Sequence, residues 1–159
     1  MSERDGSETP HERATGEQAD SDSFPPGTVL AGTPHLVRRW LGQGGVGTVY
    51  ETLRLDSGER RAVKVLSPHV AKNPAREERL LLEARGLAAL HSRHIVGVHD
   101  VGRLTTGEAF YEMDLLAGET LRETLARGPL EPALACGLVY QALGALHLVH
   151  RAGFLHRDV

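Results

Sequence analysis

Leu41-Gly42-Gln43-Gly44-Gly45-Val46-Gly47-Thr48-Val49-Tyr50 and, after a turn, Arg60-Arg61-Ala62-Val63-Lys64-Val65-Leu66 decide the fold of this chain. The spacing Gly42-x-Gly44-x-x-Gly47 alone suits more than one phosphate-binding loop, and equally a hairpin with no ligand. The residues after the third glycine narrow the choice. A dinucleotide fold would open a helix there and carry an acid about 20 residues further on. Here Thr48-Val49-Tyr50 is β-branched and aromatic, which favours a strand, and near that offset stands Lys64. A Walker A loop needs Gly-Lys-Ser/Thr, whereas Thr48 comes directly after Gly47. Strands over Leu36 to Trp40 and Thr48 to Leu55 therefore flank the loop. Asp56-Ser57-Gly58 then turns the chain into a third strand, Arg60 to Leu66. On it Ala62, Lys64 and Leu66 share one face and Val63 and Val65 the other.

Working outward, Pro74 to His91 has helical spacing, with proline in the first turn and Glu77 and Glu78 near the positive end. Its stripe Leu80, Glu83, Leu87, Leu90 places a carboxylate in the middle of the face that should be buried. An unpaired buried charge costs several kcal/mol, so Lys64 on the neighbouring sheet is expected to meet Glu83. Two more strands, about Val96 to Leu104 and Ala109 to Met113, flank the turn Thr105-Thr106-Gly107. Thr120 to Arg127 reads as a short helix, Gly128-Pro129 as a break, and Glu131 to His150 as a long helix. The uncharged run Ala133 to Val149 is 17 residues, the lower edge of a membrane span. It contains Gln141 and His147 among several small residues, so a buried core helix is expected, with no membrane segment. The order βββαββ and then helices predicts an α+β lobe with a five-stranded antiparallel sheet and one helix, then the first helices of a second lobe.

Composition sets the outer limits. The 159 residues are 40% hydrophobic and 4% aromatic, room for one ordinary domain or part of a larger one. Residues 1 to 27 hold seven acids and two bases, a charge of −5; against −3 for the whole chain this leaves +2 for the rest. With Phe24 as its one large apolar side chain, that stretch is expected to be a disordered acidic tail ending at Pro25-Pro26-Gly27. An acidic balance gives no reason to expect nucleic acid or anionic membrane as partners. A single cysteine, Cys136, and no secretory signal point to the cytoplasm, with Cys136 itself expected as a small core residue. His147 and His150 lack a cluster of cysteine or carboxylate ligands and read as a wet helix face, so no metal site is expected in this stretch.

The Gly-rich loop, Ala62-Val63-Lys64, Glu83 and His156-Arg157-Asp158-Val159, in that order, resemble the protein kinase family, specifically bacterial relatives of eukaryotic serine/threonine kinases. The resemblance runs from about Thr28 to the last residue. It implies a small lobe over 28–113, a connector over 114–118 and the start of a large lobe over 119–159. It implies ATP as cofactor, with the amides of Gly42, Gly44, Gly45 and Gly47 closing over its phosphates and Gln43, Val46 and Thr48 completing the loop. Leu41, Val49 and Ala62 would pack on the adenine ring, and Met113 would line the back of the pocket. Asp114 and Leu116 would offer backbone groups to the adenine edge. Lys64 would hold the α and β phosphates, Glu83 would orient Lys64, and Asp158 would be the catalytic base, with His156 packing its loop. Asp114 stands where the family more often has glutamate, and Glu112 has no functional account at this level.

The resemblance also places the asparagine and the Asp-Phe-Gly aspartate that hold Mg²⁺ beyond residue 159, with the activation segment. It thus implies an ATP-dependent protein serine/threonine kinase acting on a protein hydroxyl, here truncated and inactive alone. A non-catalytic kinase-like binding module is the competing reading. A small-molecule phosphotransferase is a third, less favoured by the complete His-Arg-Asp.

Overall fold

The computed structural model describes residues 24–90 and 92–155. Five antiparallel strands form one sheet: β1 (His35–Gly44), β2 (Gly47–Arg54), β3 (Arg60–Leu66), β4 (Val98–Arg103) and β5 (Ala109–Asp114). Their spatial order is β1-β2-β3-β5-β4. Gly44 pairs with Gly47, so Gly45 and Val46 alone make the turn at the tip of the first hairpin. The β2–β3 turn needs a residue at positive φ, and Gly58 supplies it at 73°. Helix α1 (Pro68–Ala71), a single turn absent from the sequence reading, leads into α2 (Pro74–Ala88). The Asn73 side chain caps α2 by accepting from the Arg76 amide, and Pro74 takes the first turn, where no donor is lost. After the sheet come α3 (Leu121–Ala126), started by a Thr120/Glu123 capping box, and α4 (Pro132–Arg151).

The period of two along the strands sorts side chains to two layers. On one face Val37, Tyr50, Val63, Val65 and Phe110 close with Leu30 and Leu104 into an apolar core. On the other, Leu66, Val70, Leu81 and Ala109 pack with Val46, Leu80, Val101 and Tyr111, which seats α2 on the sheet. Burying each large aliphatic side chain contributes about 1.5–3 kcal/mol before chain entropy is charged against it.

Of the expected tail, residues 1–23 lie outside the described residues, and residues 24–27 are packed against the sheet. The Phe24 ring meets Tyr50 edge-on at 5.9 Å, the Phe24 amide donates to the Tyr50 hydroxyl, and the Gly27 amide donates to the Val37 carbonyl. One aromatic residue suffices to anchor the segment because Tyr50 offers both a ring and a hydroxyl. Deleting residues 1–23 should leave the unfolding midpoint in place. Deleting 1–27 should cost about 2 kcal/mol through the lost Phe24 packing. Urea melts of the two shortened chains check this.

Three further expectations change. The buried face of α2 is Glu77, Leu81 and Ala84, one position away from the predicted stripe, so Glu83 lies at its rim. Helix α4 forms where expected but is exposed along most of its length, with Leu138 38%, Leu143 59% and Tyr140 80% accessible. Among its residues only Val149 is buried, because no helical layer among the described residues covers it. By length and composition α4 could also cross a membrane, although Gln141 and His147 in the span oppose that. Cys136, on the same helix, is exposed and not a core residue.

The sheet's first face also buries a polar cluster. Glu112, fully buried, accepts from Arg54 at 2.9 Å and from Arg61 at 3.0 Å, and lies 3.3 Å from His35, whose other ring nitrogen meets the Thr52 hydroxyl. Burial holds the His35 imidazole below its ordinary 6.5; Glu112, Asp100 and Asp56 pull the other way, and Arg54 pushes with it. The unfolded chain therefore protonates His35 first, so its contribution is complete above pH 6.5 and lost as pH falls through the lower folded value. Urea midpoints between pH 8 and pH 5 should fall on the acid side, and His35→Gln should flatten that part of the profile.

Candidate functional site

Antiparallel pairing places directly opposed side chains on the same face of the sheet. Val49 on β2 stands opposite Lys64 on β3, and Lys64 opposite Tyr111 on β5. In the next row Glu51 stands opposite Ala62, and Ala62 opposite Met113. One face thus collects an ammonium, a small side chain, a β-branched wall and a thioether, with the Lys64 row next to the Gly47–Leu66 pair at the hairpin that carries the glycines. Ala62 is buried, while Val49, Lys64, Tyr111 and Met113 keep partial access to solvent.

The glycines divide by what surrounds them. A Cβ at Gly42, Gly44 or Gly45 would meet no described atom within 4 Å, so the hairpin tip has open space around it. A Cβ at Gly47 would run into the Val65 carbonyl oxygen and come within 2.9 Å of the Leu66 Cα. Gly47 is therefore required by the approach of β2 to β3. The tip is also tied down: Val46 packs on the α2-side core, and its carbonyl accepts from the Ser67 amide. Gln43 is exposed, and Leu41 and Thr48 are half-buried.

Lys64 does not meet Glu83. Glu83 accepts from Arg79 one helical turn earlier, at 3.0 Å, and its side chain is 39% exposed. The reason is the rotation of α2, which buries Glu77 in place of Glu83. A buried acid does find a cation, but between other residues: Arg103 on β4 donates to both Glu77 oxygens, at 2.6 and 3.0 Å. Among the described residues Lys64 makes no ion pair; its Nζ lies over the Tyr111 ring, 5.9 Å from the centroid. Burial pushes the Lys64 amine below its ordinary 10.5, and burial likewise raises the Tyr111 phenol.

At the connector, the Asp114 side chain accepts from the Gly97 amide at 2.9 Å and meets His99 at 2.6 Å. The His99 contact, with help from the Gly97 amide, holds its carboxyl below the usual range although burial opposes this. Leu116 is 74% exposed. A cavity of about 390 Å³ lies against the connector, lined by His94, Ile95, Asp114, Leu116 and Gln141 among others. It shares Asp114 and Leu116 with the expected site but not Lys64 or the glycines, so the row geometry on the sheet, not this cavity, defines the site. His156 and Asp158 lie outside the described residues.

Sequence reasoning missed Glu51. It is 4% exposed at the end of the second row and accepts from Arg39 at 2.7 Å and Arg60 at 2.5 Å. Burial would raise its carboxyl, but the hydrogen bonds from Arg60 and Arg39 outweigh this and hold it low. Its place opposite Ala62 was readable from strand alternation; its arginine partners, on β1 and at the start of β3, were not.

The protein kinase domain family matches residues 36–159. Serine/threonine-protein kinase PknH of Mycobacterium tuberculosis is 39% identical over 127 residues, which are 79% of this chain and 20% of that protein. PknD of the same organism is also 39% identical, over 79% of this chain and 19% of its own length. The crystal structure of the M. tuberculosis PknI kinase domain superposes with a TM-score of 0.75 at 31% identity, covering 86% of this chain and 55% of that one. The chain thus spans about a fifth of these curated relatives and about half of the solved kinase domain.

Proposed function

This chain belongs to the protein kinase family, beside its bacterial serine/threonine members, and from that premise we propose that it supplies the ATP-binding part of an ATP-dependent protein serine/threonine kinase. The observation that carries the reading is the row Val49, Lys64 with Ala62 and Met113 beside it, on one face under a glycine hairpin with open space at its tip. A flat base needs small and apolar walls, a triphosphate needs a cation and approachable amides, and this face offers both. Lys64 supplies the cation, the amides of Gly42, Gly44 and Gly45 the anion contacts, and Asp158 receives the proton of a protein hydroxyl. Mg²⁺, when bound, neutralises charge on the transferring phosphate. We place this chemistry in the cytoplasm.

The 159 residues are proposed to be insufficient for transfer alone. Phosphoryl transfer rests on positioning and charge neutralisation, and no Asp-Phe-Gly occurs in the sequence to hold the metal. The separation of Lys64 from Glu83 favours a second reading, a kinase-like module that binds without catalysing. Incubation with radiolabelled ATP and a generic basic protein separates them. The 159-residue chain should incorporate no label above background. A longer chain with a complete large lobe should transfer, and should lose transfer on Lys64→Met or Asp158→Asn. Transfer by the short chain would refute its insufficiency. A longer chain that never transfers would favour the binding module, and one indifferent to both substitutions would refute the assignment of these residues.

A further inference from the structure

We propose that Tyr111 is the positioning residue for Lys64, its ring face holding the ammonium on the sheet where no carboxylate among the described residues pairs with it. The proposal rests on the nucleotide reading of the site only for its purpose, not for its geometry. Lys64 and Tyr111 are directly opposed on β3 and β5, so their side chains leave the same face of the sheet side by side. The Nζ stands 5.9 Å from the ring centroid, within the range at which an ammonium is attracted to the negative face of an aromatic ring. The ring is itself held, because Tyr111 packs on the cluster of Leu66, Val70, Leu81 and Ala109 that joins the sheet to α2.

The surrounding charges make this contact matter. On β2, the carboxylate in the adjoining row is Glu51, committed to Arg39 and Arg60. On α2, Glu83 is committed to Arg79 and Glu77 to Arg103. On β5, burial pushes the Tyr111 phenol up from its ordinary 10, away from the charged form. A half-buried ammonium with every neighbouring described carboxylate already engaged loses hydration without gaining an ion pair. The ring quadrupole offsets part of that loss and fixes the direction of a long, flexible side chain. Lys64 is thereby held over the Tyr111 ring before any nucleotide arrives, in an arrangement where Glu83 is paired with Arg79.

The test reads the Lys64 amine itself, without nucleotide. The 159-residue chain is acetylated with trace acetic anhydride across a pH series, and incorporation at Lys64 and at exposed Lys72, the chain's other lysine, is tracked by peptide mass spectrometry. Tyr111→Phe, which keeps the ring, should leave the Lys64 labelling midpoint where it is in the parent. Tyr111→Leu should lower it by about half a pH unit or more, because the charged form loses its partner, with Lys72 unmoved. Phenylalanines of increasing fluorination at position 111 keep the shape and drain the ring face, and should lower the midpoint stepwise. This series stands even if Tyr111→Leu does not fold. A midpoint unchanged across the fluorinated series, or shifted by Tyr111→Phe as far as by the most fluorinated residue, overturns the proposal. No nucleotide is present, so that result would leave the ATP reading intact, and a failure to bind ATP would leave this result intact.

Discussion

Glu112→Leu should lower the free energy of unfolding by about 3 kcal/mol, the cost of removing one partner from a buried ion cluster. Three groups converge on that carboxylate: Arg54, Arg61 and His35. The arginine side chains are 27% and 22% exposed, so each retains a route to water, and this keeps the expected loss at the lower end for a broken buried pair. Arg54→Ala, by contrast, leaves Arg61 and His35 on Glu112 and should cost about 1 kcal/mol. The difference matters because Glu112 joins β5 to β1, β2 and β3 at once. Urea melts at pH 7 read both values, and a Glu112→Leu loss no larger than that of Arg54→Ala would mean the cluster is not a keystone of the sheet.

Gly47→Ala should destabilise the chain by about 3 kcal/mol, while Gly44→Ala, three residues away in the same motif, should change stability by less than about 1 kcal/mol. The new methyl at position 47 meets backbone, the Val65 carbonyl oxygen, which cannot swing aside as a side chain could. At position 44 it meets nothing described within 4 Å. The two variants thus separate a glycine needed by the fold from one whose bareness serves a ligand: Gly44→Ala should keep its melt and lose affinity for ATP. Equal losses of stability would contradict the division.

The sheet and its helices were legible because local signals agreed: β-branched alternation, Asp56-Ser57-Gly58, Pro74 in a first helical turn and the break at Gly128-Pro129 each act within a few residues. That Ala62 and Lys64 share one face, the row of the candidate site, was legible for the same reason, since alternation alone puts them there. What failed needed distances in space. The rotation of α2 that buries Glu77 and frees Glu83 is a matter of one helical position, and both stripes satisfy the period. Arg103 lies 26 residues from Glu77 and Arg54 lies 58 from Glu112, so no local pattern announces either pair. Phe24 looked like a stray apolar residue until its partner Tyr50, 26 residues on, was placed. The helix α4 was legible as a helix, but burial depends on what packs against it, and that is not written in its own periodicity.

The central claim, that the face bearing Lys64 takes ATP, has a direct measurement because the chain contains only two lysines, Lys64 half-buried on that face and Lys72 exposed. Acetylation of both is measured with and without millimolar ATP and Mg²⁺. The account predicts that nucleotide slows labelling of Lys64 several-fold, leaves Lys72 unchanged, and gives no such protection in Gly44→Ala. Labelling of Lys64 and Lys72 that responds to ATP alike, or not at all, would contradict it.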